Sequence, residues 1–337
     1  MFNYIDLFCG AGGMSLGFDK ANFQQVLSIE YDKKIAETYN FNFPNHNLIV
    51  RDITTIKNEE ISNLTHNKKI DIIVGGPPCQ GFSLAGKFGR TFIEDPRNLL
   101  FKEYLRFVKV LNPKLFIIEN VARMVSHNKG KTIKEITSAI KSLGYNVEYK
   151  ILQSANYHIP QKRQRVIIVA SKGLGFKFPD ETNKKLTIKD AIDDLPPLNS
   201  GETSDIPNHN AMNHKPEMLE KMKYVTDGGN RNDIPPELRP KSGDVRKYIR
   251  YNSSEPSIPI TGDMRKVFHY SQNRALTARE LARIQTFPDT FIFKGTSINI
   301  QQQIGNAVPP KLAFLLAQQT KAFLLKEEKI GTQIPKN

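Results

Sequence analysis

The stretch DLFCGAGGMSLGF, residues 6–18, decides how the rest of the chain is read. The apolar run from Tyr4 to Phe8 predicts a strand, the glycines at 10, 12 and 13 a turn, and the residues after them a helix through about Asn22. In this order, the three features let the backbone approach a nucleotide-like ligand at the carboxyl end of a parallel strand. No Gly-Lys-Ser/Thr follows, so the turn is not a P-loop, and position 15 is Ser where a dinucleotide fingerprint needs another glycine. An adenosine ligand without a pyrophosphate fits better. Glu30 lies 20 residues past Gly10, at the end of a second predicted strand from Val26. A carboxylate there accepts hydrogen bonds from ribose hydroxyls. Asp52, just past a short run from Leu48 to Val50, suits an adenine amino group.

Further along, strands and helices alternate. A helix is predicted from Asp32 to Phe41, a strand from Ile70 to Val74, a helix from Arg97 to Leu111, a strand from Leu115 to Glu119 and a helix through about Leu143. Such alternation specifies a doubly wound α/β sheet with helices on both faces. The apolar runs from Val147 to Leu152 and Val166 to Ala170 lie close enough to pair antiparallel at its edge. Near Gly173 the character changes. As far as about Asn273 the chain is rich in Pro, Gly, Asn and basic residues with weak periodicity, which reads as a second, irregular domain. It carries Arg231, Arg239, Lys241, Arg246, Lys247, Arg250, Arg265 and Lys266. The segment from Ala275 to Thr286 is helical in pattern, and a last amphipathic helix from about Pro310 to Leu325 is expected to pack back on the first domain.

Composition narrows the partners. A chain of 337 residues has room for about two domains at ~100–200 residues each. The net charge of +14 points first to a polyanion, with nucleic acid ahead of an acidic membrane surface. The two cysteines, Cys9 and Cys79, cannot form a disulfide framework or a zinc site, and a reducing cytoplasm is expected. The seven histidines are scattered, without an HExxH, so no metal is expected. The opening MFNYIDLFCGAGG does not read as a signal peptide, and no apolar run approaches the ~18 residues that span a bilayer.

Three shorter motifs carry candidate chemistry. In GGPPCQGFS, residues 75–83, two prolines fix the chain leading to Cys79 at the carboxyl edge of the sheet, where a thiolate can act as nucleophile. The long loop from Gln80 to Asp95, with Lys87 and Arg90, suits a basic lid. IENV, residues 118–121, puts Glu119 on the same edge, and QKRQR, residues 161–165, puts Arg163 and Arg165 on one face at strand spacing. Taken singly, the glycine turn of residues 10–13 and these three motifs each have a plainer alternative: a structural turn, a buried small cysteine, a helix-capping acid and a solvated basic turn. RALTARELARIQTFPDTF, residues 274–291, reads as a structural helix, and GNAVPP, residues 305–310, as a turn that opens the last helix and brings Asn306 toward the cofactor.

These six segments, in this order, resemble the DNA cytosine-5 methyltransferase family, particularly the compact enzymes of bacterial restriction–modification systems. The resemblance covers nearly the whole chain. It implies an S-adenosylmethionine-dependent methyltransferase sheet of Rossmann-like type over residues 1–175, completed by 300–337, and a smaller target-recognition domain over 176–299. It implies that Phe8, Gly10, Gly12, Glu30, Tyr31, Asp52, Ile53, Pro78, Leu100 and Asn306 hold S-adenosylmethionine. Tyr31 stands where some relatives have Trp, and Ala307 where some have Ser. Cys79 matches the nucleophile, Glu119 the residue that binds N3 of cytosine, and Arg163 and Arg165 the arginines that position the base. Double-stranded DNA is the implied partner, with Gln80, Ser83, Lys87, Arg246, Arg250, Thr261, Arg265 and Lys266 expected near it. A monomer, functionally linked to a cognate restriction endonuclease, is the expectation. Within the family, a transfer-RNA-methylating branch is the nearest alternative. A nicotinamide-dependent dehydrogenase would explain the glycine turn and Glu30 but not PPCQ or ENV. A DNA-binding protein without catalysis leaves the intact Cys79 and Glu119 unexplained.

Overall fold

The computed structural model describes residues 1–78, 98–173, 175–240 and 247–333. In the first part, strands β1 (Asn3–Leu7), β2 (Gln24–Glu30), β3 (Leu48–Val50), β4 (Ile72–Gly75) and β5 (Leu115–Val121) alternate with helices α1 (Gly13–Lys20), α2 (Lys33–Asn42), α3 (Asn58–Leu64) and α4 (Leu99–Leu111). Helices α5 (Arg123–Ser126) and α6 (Lys131–Lys141) and strands β6 (Asn146–Gln153) and β7 (Gln164–Ser171) follow. The seven strands form one sheet in the order β3-β2-β1-β4-β5-β7-β6. β1 to β5 pair parallel, whereas β7 runs antiparallel to both β5 and β6. The expected antiparallel pair is therefore at the edge, with β7 inside and β6 outermost.

Side-chain alternation along the buried strands separates two cores. Ile5, Leu7, Ile73, Phe116, Ile118, Val166 and Ile168 face one cluster, which α4 completes with Phe101, Tyr104, Phe107 and Val108 and α6 with Ile133, Ile136 and Ile140. Tyr4, Ile72, Val74, Leu115, Ile117, Ile167 and Val169 face the other. That second face is covered by α1 and by the last helix, α11 (Pro310–Gln333), through Phe18, Leu312, Leu316 and Leu324. Gly17 allows the two helices their close approach, because a Cβ there would lie 2.4 Å from that of Ala313. The closing helix thus returns to the first sheet as its amphipathic pattern predicts.

The stretch between them holds little regular structure: α7 (Ile188–Ile192), α8 (Pro216–Tyr224), the short pair β8 (Ile249–Arg250) and β9 (Val267–Phe268), then α9 (Ala278–Ile284) and α10 (Ser297–Asn306). One cluster joins Cys9, Ala11, Tyr39 and Phe43 to Leu281, Ile284, Phe291, Ile300 and Ile304, so α9 and α10 pack beside α2. Thr38 and Asn42 bind that segment directly, accepting from the backbone N–H groups of Lys294 and Ile292 at 2.9 Å each. The helix expected to run unbroken to Leu143 is instead two helices. Asn128, Lys129 and Gly130 take left-handed backbone in succession, at φ 50°, 54° and 80°, which no α-helix accommodates. The polar run of α10 gave no apolar period to read.

Candidate active site

The strand order reverses at β1, between β2 and β4, and the carboxyl ends of these strands open a crevice there. A cleft of ≈ 670 Å³ occupies it, lined by Phe8, Gly10, Glu30, Tyr31, Asp52, Ile53, Pro78, Leu100, Asn306, Glu119, Arg163 and Arg165 among others. Twelve residues expected from different parts of the sequence thus share one cavity. Phe8 leaves β1 with left-handed backbone at φ 62°, a strained conformation for a bulky residue of the kind that gathers at functional sites. Glu30, ending β2, accepts from the N–H groups of Gly10 at 2.9 Å, Tyr31 at 2.9 Å and Asp32 at 2.8 Å. The glycine turn and the end of β2 are therefore locked together. Burial pushes the Glu30 carboxyl above its ordinary range, against the pull of those three donors. Tyr31 is 73% exposed, an aromatic ring at the mouth of the cleft. Asp52 caps the turn 53–55, its Oδ1 accepting from the backbone and hydroxyl of Thr54. Gly12 does not line the cleft. With φ 96° it caps α1 against the Phe43 ring, which a Cβ would meet at 2.4 Å.

The opposite wall carries the acid and the arginines. Antiparallel pairing sets Val121 opposite Arg165 and Glu119 opposite Ile167, so Glu119 and Arg165 lie diagonally on one face. Arg165 Nε is 2.8 Å from Glu119 Oε1. The N–H does not point along that line, so the contact is ionic and Oε1 remains a buried acceptor without a hydrogen bond among the described residues. Gly76, in the turn after β4, passes over the same carboxylate: a Cβ there would lie 3.1 Å from Glu119 Oε2. Asn120 donates to the Pro77 carbonyl at 3.0 Å and accepts from the Val121 N–H, which fixes that turn. Arg163 is buried, with Nη1 donating to the Gly305 carbonyl at 2.8 Å. Burial, aided by the neighbouring Arg165 charge, pushes its guanidinium down to about 10 while Glu119 opposes the shift. Cys79, Gln80, Ser83 and Lys87, with Arg246 in the second part, lie outside the described residues.

Three motifs meet in a buried amide network. Gln161 Nε2 donates to Gln285 Oε1 at 3.0 Å, and Gln285 Nε2 to the carbonyl of Ile304 at 2.7 Å. Ser257 pairs through its backbone with both sides of Gln161, accepting from the Lys162 N–H at 2.7 Å and donating to the Pro160 carbonyl at 2.9 Å, so a segment of the second part runs beside the approach to Arg163. Of the residues expected near DNA, Thr261 and Arg265 are exposed and Lys266 is half-buried. Arg250 is a correction. It is buried at 6% exposure, and its five N–H groups are spent on the carbonyls of Val225, His269, Gln272 and Met222 and on Asn273 Oδ1. In the sequence, a charge in an irregular segment gives no sign of such burial.

Other cleft residues were not anticipated. Asp6, inside β1, lines the cavity and accepts from the Ser15 hydroxyl at 2.7 Å, while desolvation raises its carboxyl to about 7. An acid in an otherwise apolar strand was the available signal. Gln303 also lines the cleft, with Oε1 buried and unpartnered among the described residues, and nothing in the polar run of α10 marked it.

The sequence and the fold both have known relatives. A family model for the C-5 cytosine-specific DNA methylase matches residues 2–322. The chain is 55% identical over 317 residues to the Type II methyltransferase M1.HphI of Haemophilus parahaemolyticus, covering 94% of this chain and 85% of that one. It is 34% identical over 350 residues to the Type II methyltransferase M.Eco47II of Escherichia coli, covering 98% and 81%. A crystal structure of an E. coli prophage protein assigned as a DNA modification methyltransferase superposes with a TM-score of 0.80 at 24% identity, over 96% of this chain and 100% of that one, a likeness of fold. A glycine turn locked to Glu30, an acid and two arginines across one cleft, and a family match over nearly the full length lead to one assignment: the chain belongs to the C-5 cytosine-specific DNA methylase family.

Proposed function

We propose that the protein methylates carbon five of a cytosine in a short specific sequence of double-stranded DNA, with S-adenosylmethionine as donor, as the modification partner of a restriction endonuclease. The observation that carries this is the convergence of the turn leading to Cys79 with the Glu119 carboxylate and Arg165 on one wall of a cleft whose other wall suits an adenosine. Glu30 and Asp52 are set to accept from ribose and adenine donors, Tyr31 offers a ring face, and Asn306 lines the same cavity, so the donor set fits S-adenosylmethionine. When bound, the cofactor supplies an electrophilic methyl on a sulfonium.

The protein's own residues activate the base. The Cys79 thiolate adds to carbon six of cytosine, forming a carbon–sulfur bond and shifting electron density to carbon five. A proton shared between the Glu119 carboxyl and N3 neutralises the charge that the ring gains as the thiolate adds, and Arg165 keeps that carboxyl in place. Once carbon five carries the methyl group, a solvent base takes its proton, and the electron pair of that carbon–hydrogen bond restores the C5–C6 double bond as the carbon–sulfur bond breaks and Cys79 leaves as thiolate. A covalent adduct divides one hard step into easier ones. The base is unreachable inside a duplex and is flipped into the cleft. Residues 176–299 serve as the target-recognition part, set against the catalytic part of 1–175 and 300–337, and the chain acts as a monomer.

Transfer of labelled methyl to unmethylated DNA and, in parallel, to bulk transfer RNA tests the reading. Label in 5-methylcytosine of DNA, abolished by Cys79→Ala, is expected. Label confined to RNA, or DNA methylation surviving Cys79→Ala, would overturn the substrate or the mechanism respectively.

A further inference from the structure

Among the described residues, most arginines of the second part are committed within the protein, and this narrows which can face a base. Arg250 is buried, and Lys266 Nζ lies 4.9 Å over the ring of Tyr248. Arg265 differs: its side chain is 48% exposed. Its Nε donates to Asp263 Oδ1 at 2.8 Å and its Nη2 to Oδ2 at 3.3 Å. Asp263 Oδ2 also accepts from Lys247 Nζ at 2.6 Å. The carboxylate thus clamps one edge of the guanidinium and sets its plane, while Nη1 makes no hydrogen bond among the described residues.

The loop that carries this pair is anchored beside the cleft. Met264 is buried, and its N–H donates to Gln301 Oε1 of α10 at 2.9 Å. Gly305 packs directly on Thr261, whose carbonyl carbon would lie 2.9 Å from a Cβ at that position. The Gly305 carbonyl in turn holds Arg163. From catalytic arginine to recognition loop there are two contacts.

We propose that Arg265, oriented by Asp263, reads a guanine in the major groove close to the methylated cytosine. This rests on the proposed methylation of DNA. Guanine offers O6 and N7 as paired acceptors, and a guanidinium held in plane presents two donors to them. A phosphate contact needs no such orientation, and the carboxylate beside Arg265 repels phosphate. An exposed ion pair contributes little to stability by itself, so holding an arginine this way has little structural purpose.

The test uses a pool of duplexes randomised around the target cytosine, methylated by the full-length enzyme and read by bisulfite sequencing. Wild type is expected to require guanine at one position. Arg265→Ala and Arg265→Lys lose that requirement by roughly tenfold or more, and Asp263→Asn weakens it at the same position. Lysine keeps the charge but not the fork, so a guanine requirement intact in Arg265→Lys would overturn the proposal, as would a uniform fall across all sequences. Unaltered cofactor binding and melting temperature identify the variants as folded. A wild type that methylates no DNA in the pool would overturn the underlying function as well, an outcome separate from any variant result.

Discussion

The side chain of Asn120 donates to the carbonyl oxygen of Pro77 at 3.0 Å, so the end of β5 holds the turn that leads out of β4. One motif thereby steadies another 43 residues away. Two residues beyond Pro77 is Cys79, and Glu119 precedes Asn120, so this hydrogen bond ties the chain leading to the proposed nucleophile to that of the proposed N3-binding residue. Asn120→Ala removes the donor and leaves a buried carbonyl unpaired, at a cost of ~1–3 kcal/mol. A misplacement of reacting groups by an ångström lowers rate by on the order of 100-fold. We expect a fall in kcat of that size with the Kd for S-adenosylmethionine nearly unchanged, measured by single-turnover methyl transfer and calorimetry. A variant with wild-type kcat would show that the turn is held by other means.

Asp6 makes stability depend on pH. Its carboxyl, at 3.8 in an unfolded chain, is raised to about 7 by burial. A group raised on folding favours the folded state most below its unfolded value, and that advantage is lost as pH rises through the folded value. Between about pH 4 and 7 the folded protein holds a proton that the unfolded chain releases, so wild type loses stability over that window. The displacement corresponds to at most ~4 kcal/mol. Asp6→Asn keeps an acceptor for the Ser15 hydroxyl but carries no charge. Urea unfolding without cofactor should show the variant gaining on wild type by a few kcal/mol from pH 4 to pH 8. A difference between the two proteins that is flat across that range contradicts a protonated Asp6.

Legibility in the sequence followed the strength of local constraint. The doubly wound sheet was readable because buried strands leave continuous apolar runs, and the cleft because strand ends must carry their functional residues at fixed offsets from glycine turns. Glu30 binding the Gly10 N–H fulfils one such offset. Gly12 has a structural use that the sequence does not separate from a ligand-binding one: its left-handed backbone packs against Phe43. The second part was opaque for a different reason. Its order comes from polar side chains tied to backbone, such as Gln285 to the Ile304 carbonyl and Arg279 to the carbonyls of Pro207 and Phe291, and such bonds follow no period.

Arg250 shows the consequence most sharply. Its guanidinium meets four carbonyls and the Asn273 side chain, at 2.5–2.7 Å, and so joins α8, the segment after it, and the turn beyond β9. Burial lowers its pKa from the ordinary arginine value, with Asp227 opposing. Lysine has three donors on a point charge and cannot reproduce a planar fork with five. Arg250→Lys should therefore lose about 3 kcal/mol or more by leaving buried carbonyls unpaired. An arginine that contacts phosphate would behave differently: its loss lowers the slope of log K against log salt by about one. We expect denaturant unfolding to show the loss of stability while the salt slope of DNA binding, measured at a temperature where the variant is folded, stays at the wild-type value. A shallower slope with unchanged stability would return Arg250 to the DNA-facing surface.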